Sequence, residues 1–289
     1  MKKIFQFLPS PFASVAVSSF MIGALSACNP AGDGFASGPS SGAHGFQAPS
    51  QTAVQKQRKW STDALLYAGD GSWSDEVGSL ENIMNSNHMS FLAVSSADLD
   101  AMSLDELAQF GVLVFPGGHG GVIADSLSAA THARLRAAVQ QRGVSYIGFC
   151  AGAFVAVNPK PTPGQDVNYG FGVVDGPELP YYYLENTLNP DIAMTMETFA
   201  DGSKRDLVWY GGPITPSVPG GVIAQYPNGE PAITELQSGN GFVILSAVHP
   251  TATQATRDVF GLHDSDGLDL DIAWNLLHAA LHSKPLPAF

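Results

Sequence analysis

The residues best suited to chemistry lie in Gly148-Phe149-Cys150-Ala151-Gly152, where an apolar run, Ser145–Phe149, ends. A strand that turns sharply into a helix needs small residues on either side of the turn, because its backbone is strained and neighbouring chains pass close. The spacing therefore predicts a nucleophile elbow with cysteine in the place of serine. Its sulfur is expected at the carboxyl edge of a sheet, where open α/β folds bind ligands. The N-terminus of the following helix favours the thiolate, which is the reactive form. The Ala151 N–H then points to where a carbonyl oxygen would gain charge, and the loop Gly117-Gly118 can bring a second N–H to the same place. His249 ends the run Phe242–Val248 and precedes Pro250, so it too is expected at the sheet edge, as a base for Cys150. A Cys–His pair suits acyl transfer through a thioester. His119, flanked by Gly118 and Gly120, is a substrate contact or an exposed loop residue.

Alternating apolar runs and helical patterns must position these groups. Short strands are expected at Ala64–Ala68, Met89–Val94, Val112–Phe115 and Ser145–Phe149. Ser74 is expected to cap a helix with Val77, Leu80, Ile83 and Met84 on one face. Ser103-Leu104-Asp105-Glu106 forms a capping box, and residues 128–142 form a helix closed by Gly143. Four β–α units imply an open, mostly parallel sheet with helices on both faces. After residue 158 hairpin-like strands follow, at Ile192–Phe199, Asp206–Tyr210, Val222–Tyr226, Ala232–Leu236 and Phe242–Val248, then a helix burying Ile272, Leu276, Leu277 and Leu281. The expected fold class is α/β with an antiparallel β extension, over residues 60–289. Tyr181-Tyr182-Tyr183 lines a ligand mouth or anchors a loop. Asp264-Ser265-Asp266-Gly267 resembles the start of a calcium loop, but Leu268 stands where an oxygen ligand belongs and Asn275 where Glu does. Acids before a helix are explained by its dipole, so neither a metal nor another cofactor is expected.

Phe115-Pro116-Gly117-Gly118, Gly148–Ala153, Tyr210-Gly211-Gly212-Pro213 and Ser246-Ala247-Val248-His249-Pro250 occur in the order seen in class I glutamine amidotransferase-like domains, which are flavodoxin-like. The closest resemblance is to the N-terminal domain of biotin–protein ligases, across most of residues 62–282. It implies Cys150 as nucleophile, His249 as base, and Gly118 and Ala151 as oxyanion donors. One departure matters: amidotransferases usually read His-Pro-Glu, whereas this chain reads His249-Pro250-Thr251. Thr251 accepts a hydrogen bond but cannot stabilise an imidazolium as a carboxylate does. Another acid substitutes, or the triad is incomplete. Asp70, in the loop after the first strand, is one candidate acid or substrate contact; Asp258 and Glu178 are less constrained ones.

The first sixty residues have a different character. Lys2 and Lys3 precede the apolar stretch Phe12–Leu25, whose 14 residues are too few to span a hydrocarbon core of ~30 Å. Leu25-Ser26-Ala27-Cys28 resembles the lipobox of bacterial lipoproteins. That resemblance implies a signal peptide over residues 1–27, lipid on Cys28, and anchoring to a membrane of the cell envelope. Asn29, which is not the aspartate of inner-membrane retention, points to the outer membrane, facing the periplasm. Residues 28–59 read as a flexible tether holding the domain roughly 30 Å from the bilayer. The net charge of −13 becomes more negative once Lys2 and Lys3 are removed, so no nucleic-acid partner is expected. Two cysteines make no disulfide framework. Three functions compete: a cysteine-dependent amide hydrolase acting on a small-molecule or peptide amide, a non-catalytic binding module, and a glutamine amidotransferase. Location and the lack of a synthetase segment in this sequence disfavour the third, and biotin ligation for the same reason.

Overall fold

Side chains alternate across a strand, so a strand covered on both faces reads as an unbroken apolar run. The computed structural model, which describes Gln47 and residues 59–157, 170–184 and 192–289, bears this out. All of these residues fall in the unit Ala43–Phe289. In chain order the elements are β1 (Thr62–Tyr67), α1 (Ser74–Ser86), β2 (Phe91–Val94), α2 (Ser96–Ala101), α3 (Leu104–Leu107) and β3 (Phe110–Phe115). There follow α4 (Gly120–Asp125), α5 (Ala129–Gln140), β4 (Ser145–Phe149) and α6 (Ala151–Ala156). Then come β5 (Ala193–Phe199), β6 (Lys204–Trp209), β7 (Val222–Gln225), β8 (Pro231–Ser238), β9 (Gly241–Ser246), α7 (Gln254–Phe260) and α8 (Leu270–His282).

The strands form one nine-stranded sheet in the order β2-β1-β3-β4-β9-β8-β7-β5-β6. Pairings from β2 to β9 are parallel, and those from β9 to β6 are antiparallel. On β3, Leu113 and Phe115 face one core while Val112 and Val114 face the other. The first core is closed by α4, α5 and α6 through Ile123, Leu135 and Phe154; the second by α1 and α8 through Leu80, Ile83, Leu276 and Leu277.

The α/β fold class and the antiparallel extension are as the sequence predicts. Two local expectations are corrected. Phe242–Val248 was expected within the antiparallel extension, yet β9 is also the fifth parallel strand, paired with β4 in register Ile147↔Ile244. Its unbroken burial suits that central place. Ser74 does not cap α1; Trp73 takes that position without a side-chain bond. A second capping box, Ser95 with Asp98, opens α2 just before the expected one at Ser103 and Glu106. Cys28, the signal peptide and most of the tether lie outside the described residues. Among the described residues no helix is long and apolar enough to cross a membrane.

Candidate active site

Cys150 joins β4 to α6 at φ 45°, ψ −101°, a conformation that L-residues rarely adopt. The glycines that flank it are required by close approach. A Cβ on Gly148 would collide with the Gly152 carbonyl, and one on Gly152 with the Phe115 carbonyl. The turn is clamped from outside by the Cys150 N–H, which donates to Ser246 O of β9 at 2.7 Å. The residue is only 5% exposed, and its thiol donates to Tyr210 O at 3.3 Å.

His249 sits three residues beyond β9, buried, with its N–H donating to Val208 O at 2.7 Å. Its Nδ1–H donates to Glu76 Oε1 at 3.1 Å. Its Nε2 is buried with no hydrogen-bond partner among the described residues. Burial opposes charge on this ring, but the Glu76 carboxylate, and then the Cys150 sulfur, overcome it and push the pKa up to about 10.

Glu76, on the first turn of α1, is therefore the acid that Thr251 does not provide. Its Oε1 accepts from His249 and from Thr251 Oγ1, and its Oε2 accepts from the Gly117 N–H. Burial would raise its pKa, but the charge on His249 and these hydrogen bonds together hold it below the ordinary carboxylate range. Thr251 is a positioning residue: its hydroxyl fixes the carboxylate, and its carbonyl accepts from Ser79 Oγ of the same helix at 2.5 Å. Gly117 must be glycine here, since a Cβ would strike both Glu76 Oε2 and His249 Cε1.

The expected oxyanion donors are free. Neither the Gly118 N–H nor the Ala151 N–H has a hydrogen-bond partner among the described residues; Ala151 is the first residue of α6, whose N–H has no partner inside the helix. Gly118 adopts φ +144°, and a Cβ there would collide with the Gly71 carbonyl. The bonds Trp73 N–H to Gly117 O and His119 N–H to Gly71 O fasten this loop to the loop after β1, at 2.9 and 2.8 Å.

Three expected acids are corrected. Asp70 is exposed; its own backbone bonds with Tyr67 and Ser96 fix the loop, and no contact joins its carboxylate to Cys150 or His249. Asp258 is exposed and accepts from Gln254, and Glu178 is exposed. His119 is exposed and caps α4, its Nδ1 accepting from the Val122 N–H at 3.3 Å, so the structure gives it a helix-capping role. The tyrosine run divides: Tyr182 is buried and stacked on Tyr226, whereas Tyr181 is half exposed and packs on Phe154 of α6. In the acidic loop, Asp206, Asp264 and Asp266 bring oxygens within 4.8 Å of one another. Arg257 pairs there with Asp264 and Asp269, and Arg205 with Asp266 and Asp269, so two of the three already have cationic partners, while Asp206 accepts from the Ser265 N–H and hydroxyl.

Residues 62–160 match the family described as biotin-protein ligase, N terminal. The matched segment runs from β1 through α6, so it carries Glu76, Gly118, Cys150 and Ala151; His249 and Thr251 lie beyond it. It covers well short of half of the chain. No curated protein matches. Among solved structures, a glutamine amidotransferase is 16% identical, with 74% of this chain and 97% of that one covered and a TM-score of 0.49. A cytoplasmic protein from Salmonella typhimurium is 11% identical, with 75% and 98% covered and a TM-score of 0.46.

Proposed function

We propose that this chain is a cysteine-dependent amide hydrolase, with Cys150 as nucleophile, His249 as proton carrier and Glu76 as the acid that holds it. The observation carrying the proposal is the buried Glu76–His249 pair, with the Cys150 sulfur close enough to the ring to favour its charged form. In the reaction His249 Nε2 first holds the proton of Cys150, as an imidazolium paired with Glu76, and the thiolate attacks the amide carbonyl carbon. The carbonyl π electrons move to oxygen, which the Gly118 and Ala151 N–H groups receive. As the oxyanion collapses, the C–N bond breaks and Nε2–H protonates the leaving nitrogen, leaving a thioester. Water then attacks the thioester and gives a proton to His249; the C–S bond breaks, releasing the carboxylic acid and restoring the thiolate beside protonated His249. Glu76 keeps the ring oriented and stabilises its positive charge throughout.

Alkylation of Cys150 by iodoacetamide, followed across pH in the full-length chain, tests this. The expected result is rapid reaction well below the free-thiol value of about 8.5, lost in His249→Ala. A thiol that stays inert until pH passes that value would overturn the proposal. It would leave the second reading, a non-catalytic binding module, which the low exposure of Cys150 and its bond to Tyr210 O favour. The proposed setting is the cell envelope, through lipid on Cys28, and Cys28→Ser is expected to move the protein from the membrane to the soluble fraction. An unchanged distribution would refute the anchor.

A further inference from the structure

The side of the site occupied by His249 is walled by aromatic rings. Trp73, at the start of α1, meets the His249 ring edge-on, with centroids 5.5 Å apart and planes at 84°. Tyr210, whose carbonyl holds the Cys150 thiol, packs against Trp73 at 5.8 Å. Phe260, the last residue of α7, touches both, at 6.3 Å from Trp73 and 5.9 Å from Tyr210. Three separate elements thus deliver one cluster, yet Tyr210 remains 39% and Phe260 41% exposed. Leaving aromatic surface in water costs about 25 cal/mol per Å², so a cluster that stays open beside a reactive pair calls for an occupant.

The chemistry of the pair says which part of the substrate lies there. Oxygen goes to the Gly118 and Ala151 N–H groups, whereas His249 Nε2 hands its proton to the departing nitrogen. A wall in contact with the His249 ring therefore faces the nitrogen side of the scissile bond. When a primary carboxamide such as glutamine is cut, the leaving group is ammonia, which has no surface to place on such a wall. We infer that the substrates are secondary amides carrying an aromatic or similarly flat, uncharged group on the amide nitrogen, received by Trp73, Tyr210 and Phe260. This rests on the amide hydrolase reading above and narrows it: the C–N bond that breaks releases a substituted amine, protonated by His249.

Two alkylating reagents separate the inference from the reading on which it rests. Iodoacetamide and iodoacetanilide both form an S–CH2 bond with loss of iodide, but only the second has a phenyl group on the amide nitrogen. The rate constant of each with full-length protein is divided by its rate constant with free cysteine. We expect the normalised rate for iodoacetanilide to exceed that for iodoacetamide about tenfold, with saturation. In Phe260→Ala that ratio is expected to fall to about threefold or less, and in Phe260→Trp to recover. A ratio near one in the wild type, or a ratio indifferent to Phe260→Ala and Tyr210→Ala, would overturn the inference. The iodoacetamide rate alone reports on the activated thiol: a fast rate with no preference sinks the aromatic subsite only. A slow rate with a clear preference leaves the subsite standing and removes the hydrolase.

Discussion

At the scale of residues, the buried pair Glu76–His249 governs the pH response and, in the proposed reaction, the chemistry. Each partner shifts in the direction that favours the ion pair: the histidine up to about 10, the carboxylate down. The Glu76 contribution to stability is present above its ordinary value near 4.5 and is lost as pH falls below that. The His249 contribution is complete below about 6.5 and fades as pH rises through about 10. Replacing the anion by an isosteric amide removes the charge that holds the imidazolium. Glu76→Gln is thus expected to lower the His249 pKa markedly, read by NMR titration of the ring, and to cost about 3 kcal/mol in denaturant unfolding. A ring still titrating near 10 would show that some other group supports it. Cys150 and His249 were legible because each ends an apolar run beside glycine or proline. Glu76 was not, since its partner lies 173 residues away and a first-turn acid has an ordinary explanation in the helix dipole. One signal was there to be read: Glu76 falls in step with Leu80 and Ile83, so a carboxylate occupies the buried stripe of α1.

At the scale of elements, the turns are more constrained than the strands they join. Gly152 in α6 and Gly202 in the β5–β6 turn make a clean comparison. A Cβ at Gly152 collides with the Phe115 carbonyl, whereas Gly202 has φ +85° but open space around it. Gly152→Ala is expected to destabilise the fold by about 3 kcal/mol or more, and Gly202→Ala by about 1 kcal/mol, measured by denaturant unfolding. Equal losses would mean that the elbow relaxes and that backbone strain alone sets the cost. Unbroken apolar runs made β1, β3 and β4 legible, and the capping box at Ser103 fixed the start of α3. The dual role of β9 was not legible, because an apolar run shows that a strand is covered on both faces without showing which strands flank it. The extra helix α2 was hidden by length: six residues carry too little periodicity to register, although Ser95 and Asp98 announce it.

At the scale of the whole molecule, the antiparallel half buries acids without full partners. Glu197 is buried, and burial pushes its pKa well above the usual range. Among the described residues Glu235 on β8, raised by burial to about 7, accepts only from the Leu286 N–H of the C-terminal tail. A carboxyl group whose folded pKa is raised contributes most below its unfolded value and loses that contribution as pH climbs through the folded one. Melting temperature is therefore expected to fall between about pH 4.5 and 7, and Glu235→Gln to flatten part of that decline. An identical slope in the variant would assign the effect to other groups. The net charge of −13 acts in the same direction, since self-repulsion grows as carboxyl groups ionise.

The clamp between the Cys150 N–H and Ser246 O ties two kinds of distance together. Cys150 leaves β4 and His249 follows β9, and these are neighbouring parallel strands. The backbones that carry the sulfur and the imidazole thus leave strands about 4.8 Å apart, a repeat that no side-chain substitution can stretch. The carboxylate has no such ruler. It arrives on a helix from the far end of the chain, and any element that reaches the imidazole from behind would serve as well. The sulfur and the imidazole thus hang from adjoining strands of one sheet, while the acid comes from a separate helix.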